Sequence, residues 1–377
     1  METLIELYDS EPIYNVFAQD TLNCRRVVFI GTAAHFKTAD KLRKYFAKRG
    51  APELIFKTVS DMDCEEIYNA IQNIITAYPD CMLDLTGGSG EAVFAAGRLS
   101  AHSGIPFIKS DIENMCVRGV YNTKNFEARS DGYKINDIIE LAGGHVRGFG
   151  HFDLSSAYGK VYDYIDIMWK ILLDYHDSWY KQVRYFQNVL RGKDGAAFEA
   201  SRESGGFQCI DDIMTRLHND GILNTLKLSG SKVSFSFSNT DIKRLICDVG
   251  VWLELYVYKT VRECGAFTDA GISVVVDWDG IREEYDVLNE IDVMACRGAK
   301  SVFISCKTGP VSVEAVNEIN ILCSHFGGRY AKAVIVTATS MSRDNLCTYK
   351  RAAELDIQII ELEDLLAGDL EQILCSL

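Results

Sequence analysis

No apolar run in the 377-residue sequence approaches the roughly 18 residues that a spanning helix needs, so no membrane span is expected. The twelve cysteines form no Cys-x-x-Cys pair and no Cys/His cluster, which argues against a structural zinc site. They read instead as small core residues of a protein in a reducing cytosol. Positive charge is scarce: 39 Lys and Arg stand against 53 Asp and Glu, a net charge of −14. Bulk attraction to phosphate is therefore absent, and any nucleic-acid chemistry needs a local basic surface, a bound metal or a partner that activates it. The amino terminus is acidic and leads into a strand, where a secretory leader would be basic, so a cytoplasmic location is expected. A 47% hydrophobic and 24% charged composition is that of an ordinary globular chain, and the length suits two domains and a connector.

Residues 1–145 alternate β-like apolar runs with helical patterns, the signature of a parallel sheet flanked by helices. Strands are expected at 3–8, 26–31, 53–59, 82–85 and 106–109, and helices at 39–48, 64–77 and 91–102. Ligands of such sheets collect at the carboxyl ends of the strands. The residues there are Ser10 and Glu11, Gly31 and Thr32, the loop Thr86, Gly87, Gly88 and Ser89, and Ser110. In the third group a strand closes on glycines and a helix opens, so free amides at the helix start are available to a phosphate. It lacks the Gly-x-Gly-x-x-Gly spacing of a dinucleotide fingerprint, and an ordinary strand-to-helix turn is the plain alternative.

The glycines at 143–150 read as a linker, followed by a long helical pattern over 161–189 with Lys181, Arg184, Arg191 and Lys193 near its end. That helix is expected to pack on a partner subunit or on the last domain, its basic end forming either a strand-binding rim or a solvated helix terminus. Residues 207–237 read as a helix and a β-hairpin, the order of a winged helix. Its reading helix carries Arg216 and His218 against three aspartates, which favours a structural or dimer-forming role over duplex recognition.

Residues 249–328 hold the catalytic candidates. An apolar helix carries Glu254, strands follow at 272–276, 287–296 and 301–307 with a charged turn at 277–284, and a helix is expected over 311–326. Asp292 and Glu290 share one strand face by period two, and Lys307 ends the neighbouring strand. Paired carboxylates beside a lysine suit metal-assisted phosphodiester hydrolysis. This order resembles the PD-(D/E)xK nuclease superfamily, with one departure: Ser305 stands where the acid before the lysine is usual. The resemblance implies Mg²⁺ or Mn²⁺ held by Asp292, the Cys306 carbonyl and a carboxylate from Glu318 or Glu254, with Glu290 able to serve. Ser305 either weakens that site or has its missing charge replaced from Glu318 or Glu314 on the next helix.

The Thr-Gly-Gly-Ser loop, with Ser10-Glu11-Pro12 after the first strand, resembles the CARF domains of type III CRISPR ancillary proteins. It departs from them at Gly90-Glu91, where Lys-Met is common. The combined likeness is to CARF-nuclease fusions. It implies an α/β chain with a Rossmann-like CARF domain at 1–145, a helical connector with a winged-helix-like segment at 146–244, and a restriction-endonuclease-like α/β domain at 245–377. It also implies a homodimer activated by a cyclic oligoadenylate, cyclic tetra-adenylate first, and cleaving DNA or RNA. Two other readings stay open: a catalytically silent, ligand-controlled regulator, and a nucleotide-metabolising sheet joined to an unrelated partner.

Overall fold

The computed structural model describes residues 2–60, 63–281 and 286–377. Strands β1 (Thr3–Leu7), β2 (Arg26–Gly31), β3 (Glu53–Thr58), β4 (Cys81–Asp84), β5 (Phe107–Asp111), β6 (Cys116–Tyr121) and β7 (Glu127–Arg129) form one sheet in the order β3-β2-β1-β4-β5-β6-β7. The first five are parallel; β6 and β7, which the pattern did not announce, continue it antiparallel. β1 is buried along its whole length, as a strand covered by helices on both faces must be. The helices Ala39–Ala47, Cys64–Ala77 and Gly90–Ser103 stand where they were expected. The strand order reverses between β1 and β4, so the crevice at their carboxyl ends is the place for a ligand.

The expected linker at 143–150 is instead mostly a strand. β8 (His145–Gly150) pairs antiparallel with β14 (Asp269–Asp277) at the edge of the second large sheet. Glycine suggested a flexible tether, but Gly143 makes a turn at φ +95° and Gly150 packs against the Tyr158 ring, where a Cβ would not fit. The long helix over 161–189 is also two helices, Ile165–Asp174 and His176–Leu190, broken at Tyr175 (φ −123°, ψ 25°). Between β8 and β14 lie β9 (Ala197–Ser201), the short pair β10 (Glu203–Ser204) and β11 (Phe207–Gln208), the helix Asp211–Asn219, and the hairpin β12 (Leu223–Ser229) and β13 (Lys232–Phe237). β9 adds a third strand to that hairpin.

The second large sheet continues with β15 (Leu288–Arg297), β16 (Lys300–Lys307), β17 (Ala331–Thr337) and β18 (Gln358–Ile360), in the order β18-β17-β16-β15-β14-β8. The helix Val251–Glu263 packs on one face, joining a core with Val293, Ile304, Cys306 and Val336. The helix Val313–Leu322 packs on the other, with Ile291, Phe303 and Ile335. It ends earlier than expected, in a π turn at Cys323–Gly327. The turn expected at 277–284 falls partly outside the described residues. No described helix is long and apolar enough to cross a membrane.

One irregularity positions the site. Along β14 and β15 the pairs Ile272↔Val293 and Val274↔Ile291 form, but Ser273 and Asp292 between them do not pair. Ser273 has φ +52°, rare for a residue with a Cβ. Ile272 and Val293 belong to one core, while Val274 and Ile291 belong to the core on the opposite face. The sheet thus switches its inward face at this point, as bulged strands do where a side chain is re-aimed.

Candidate active site and ligand pocket

Asp292 sits in a fork. The ladder between β15 and β16 runs from Arg297↔Lys300 to Val293↔Ile304 and goes no further. Beyond it, one Asp292 carboxylate oxygen accepts from the Cys306 amide at 2.7 Å, the Lys307 ammonium at 3.1 Å and the Ser305 hydroxyl at 3.2 Å. Two neighbouring strands are therefore held apart by an acid that gathers the next three residues of its partner. The Asp292 side chain is 19% exposed and that of Lys307 38% exposed, so the pair is both fixed and reachable.

Glu254 faces this fork from the helix Val251–Glu263. Burial, reinforced by Asp292, Asp248 and Glu290, pushes its carboxyl up to about 8, while Lys307 pulls the other way. Glu290 is exposed on the same side of β15. These are all oxygen donors, the set a hard dication takes, and Glu254 is raised by its burial first and by its acidic neighbours second. Among the described residues no three His, Cys, Asp or Glu side chains stand close enough together to hold a metal ion by themselves. The donor chemistry fits a dication that Asp292, Glu254, Glu290 and the Cys306 carbonyl would hold.

Glu318 does not join them. It is exposed on the helix Val313–Leu322 and accepts from Asn289 Nδ2 at 3.0 Å. Asn289 lies on the Ile291 side of β15, in contact with Trp278, so Glu318 belongs to the sheet face opposite Glu254. Glu314 is fully exposed, its carboxyl held low by its own backbone amide and Ser312. The idea that this helix supplies the missing acid is corrected; helical spacing had placed both acids on one stripe without saying which side of the sheet that stripe covers.

At the crevice of the first sheet, a cavity of about 620 Å³ is lined by Thr86, Ser110, Lys109, Arg118, Tyr14 and Tyr330. Asp84, fully buried and raised to about 6 by that burial, organises its floor: it accepts from the Thr86 amide at 2.9 Å and the Ser110 hydroxyl at 3.1 Å. The Ser110 amide in turn donates to Thr86 Oγ1 at 2.6 Å. Of the nine expected ligand residues, only Thr86 and Ser110 line this cavity. Lys109, Arg118, Tyr14 and Tyr330 were missed; Lys109 ended an expected strand, but Arg118 lies on the unannounced β6 and Tyr330 arrives from more than 200 residues away.

The other seven have different surroundings. Ser10 and Glu11 line a separate cavity of about 290 Å³ that also includes Phe326, Gly328 and Tyr330. Glu11 accepts from the Arg329 amide at 3.2 Å, and burial raises its carboxyl. This acid is therefore a contact between the two large sheets. Gly31 is buried beneath Tyr8 and His35, and Thr32 caps the following turn by accepting from the His35 amide. Gly88 donates to Asp9 at 3.1 Å, and Ser89 caps the helix Gly90–Ser103. Gly87 presses on its own chain, since a Cβ there would lie 2.7 Å from the Leu7 carbonyl oxygen. Gly87→Val is thus expected to lower the melting temperature and all activities together, as a packing lesion; unchanged melting with lost ligand binding would return Gly87 to the ligand.

No curated protein matches this chain in sequence. Among solved structures, protein VC1899 from Vibrio cholerae superimposes with a TM-score of 0.78 at 18% identity, over 100% of this chain and 97% of that one. Can2 from Sulfobacillus thermosulfidooxidans, solved in complex with cyclic tetra-adenylate, gives 0.70 at 17% identity, over 99% of each chain. At such identities the likeness is one of fold, and it extends over the whole chain. Residues 241–376, which contain Glu254, Asp292 and Lys307, match the family described as Card1-like, endonuclease domain.

Proposed function

We propose that this protein is a metal-dependent nuclease of type III CRISPR defence in the cytoplasm, switched on by a cyclic oligoadenylate, cyclic tetra-adenylate first. The observation that carries the reading is the Asp292–Lys307 fork inside a segment matching an endonuclease family. Mg²⁺ or Mn²⁺, when bound, supplies a Lewis acid for the scissile phosphate and lowers the pKa of a water. The chain itself does the rest. Asp292 supplies charge on one side of the fork, Glu254 would add its own once a bound dication lowers its carboxyl, and Asp292 fixes the Lys307 ammonium by a 3.1 Å hydrogen bond. From there Lys307 orients the attacking water and donates to the phosphate oxygens as charge builds on them. Water would add to phosphorus and lose a proton to solvent as the P–O bond to the leaving sugar breaks, and the leaving oxygen would take up a proton from water.

The cavity holds Lys109 and Arg118 beside Asp111 and Glu113, with Arg118 paired to Asp111 at 3.0 Å, and its reading as the activator site is supported by Can2, of like fold, solved with cyclic tetra-adenylate. Tyr330 lines that cavity, and its hydroxyl lies 3.1 Å from that of Tyr14, so ligand would touch the second sheet directly. β17 begins at the next residue and pairs along its length with β16, the strand of Ser305 and Lys307. A homodimer through the first domain is part of this reading, and would cover Phe94 and Val120, which are 62% and 55% exposed.

The test is incubation with plasmid, single-stranded DNA and RNA, with Mn²⁺ or EDTA, with and without cyclic tetra-adenylate. Cleavage only with metal and activator is expected; binding without cleavage would favour the regulator. Lys109→Ala and Arg118→Ala are each expected to weaken activator binding roughly tenfold, the order of one charge-assisted contact. Calorimetry with undiminished affinity in both would move the ligand out of this cavity.

A further inference from the structure

The connector holds a second groove, of about 670 Å³, lined by Gln187, Arg191, Asp194, Lys243, Arg244 and Cys247 among others. In a chain of net charge −14 its sign is unusual. Arg191 and Arg244 are exposed, and among the described residues neither makes an ion pair. Three cations of the winged segment are engaged by contrast, Arg202 with Asp211, Arg216 with Asp174 and Asp220, and Lys232 with Glu199, while Lys227 on the hairpin is exposed. The helix that reads duplexes in winged helices is therefore neutralised here by its own acids, and two free guanidinia lie in the groove.

The groove has a direction. Tyr180, Arg184, Gln187 and Arg191 recur at spacings of four, three and four, so they form one stripe along the helix His176–Leu190 and its end. Arg184 donates to the Tyr180 hydroxyl at 2.8 Å and to Gln187 Oε1 at 3.0 Å, and Gln187 donates to the Cys247 carbonyl at 2.7 Å. Tyr180 is 47% exposed, with the Arg184 guanidinium over its ring. Three residues after Cys247 comes Gly250, whose Cα is at most about 11 Å away along the chain. A Cβ on Gly250 would lie 3.1 Å from Glu254 Oε1. Cys247, on the groove wall beside Gln187, therefore lies within one short turn of chain of the residue that abuts Glu254.

We infer that this groove is the substrate track. A single nucleic-acid strand lies along the stripe, its phosphates on Arg191 and Arg244 and a base stacked on Tyr180, and runs past Cys247 to Glu254 and Asp292. An exposed aromatic on the same helix stripe as a free guanidinium is the equipment for an unpaired strand, whose base faces are accessible. The inference rests on the nuclease reading but is testable without cleavage.

The experiment uses the full chain carrying Asp292→Ala, with Mn²⁺ and cyclic tetra-adenylate, and fluorescein-labelled 20-mers of single-stranded DNA, RNA and duplex DNA read by anisotropy. Adding Arg191→Ala and Arg244→Ala should weaken single-strand binding at least tenfold. It should also make log K against log salt shallower by about 1.4, since each phosphate contact on a single strand contributes roughly 0.7. Tyr180→Ala should cost a further severalfold with no change of slope, and melting and activator affinity should stay as in the parent. An unchanged affinity and slope in the double arginine variant overturns the track, as does tighter binding of duplex than of single strand, or no strand binding by the parent. Strand binding lost with the arginines, in a protein whose Asp292 form never cleaves, overturns the nuclease reading and leaves the track standing.

Discussion

Replacing Asp292 by alanine is expected to abolish cleavage, by a thousandfold or more, while the protein still folds and binds its activator. One carboxylate oxygen receives the Cys306 amide, the Ser305 hydroxyl and the Lys307 ammonium. Its removal takes a hard-cation ligand, frees Lys307 to wander and leaves the Cys306 amide unpartnered. The last effect costs on the order of 1–3 kcal/mol, which a folded domain of this size tolerates. Loss of the charge and of the lysine's position act on the reaction alone, and one such preorganised group is commonly worth about 100- to 1,000-fold. Lys307→Ala should lose about as much. Ser305→Ala removes the longest of the three bonds and should lower the rate only severalfold. Initial rates on a labelled strand, set beside melting curves, check the series; near-parental turnover by Asp292→Ala or Lys307→Ala would remove the fork from the mechanism.

The first sheet was largely legible in the sequence because its first five strands are built on short apolar runs, broken only by single polar residues such as Glu6 in β1 and Lys109 in β5, and its helices carry amphipathic periods with clear stops. Gly104, at φ +65°, ends the helix Gly90–Ser103 as a helix-stopping glycine should. The nearness of Asp292, Lys307 and Glu254 was legible for a related reason: an acid or a lysine inside a strand or helix otherwise rich in buried residues has to be explained by what it meets there. The failures are of another kind. Period and spacing assign a residue to a face of its own element, but which core that face meets is a tertiary fact. Glu318 failed on that point, and the inversion at Ser273, where nothing in the local sequence calls for a left-handed residue, was invisible for the same reason. Tyr330 in the ligand cavity and β8 in the second sheet likewise depend on pairings more than 100 residues apart.

Glu254→Gln should destroy activity and yet make the metal-free protein more stable at alkaline pH. Burial first, then Asp292, Asp248 and Glu290, raise the folded Glu254 carboxyl from 4.5 to about 8. The unfolded chain gives up that proton near pH 4.5, whereas the folded chain keeps it to about pH 8, so folding binds a proton between these values. Below about pH 4.5 the group is neutral in both states and takes nothing from stability; as pH rises towards 8 stability is progressively lost, and above 8 the loss is complete. The size is on the order of a few kcal/mol at pH 8, where Gln, uncharged and of the same shape, escapes it. In EDTA the variant should therefore melt a few degrees above the parent at pH 8.5, and the gap should close by pH 4.5. Mn²⁺ added at pH 8.5 should raise the parent's melting point far more than the variant's, because the crowded carboxylates then gain their counter-charge. Glu318→Gln, on the far face of the sheet, should leave both the metal response and the rate as they were. A Glu254→Gln protein that melts below the parent at pH 8.5, or responds to Mn²⁺ as the parent does, would show that Glu254 lies outside the cluster that holds the metal.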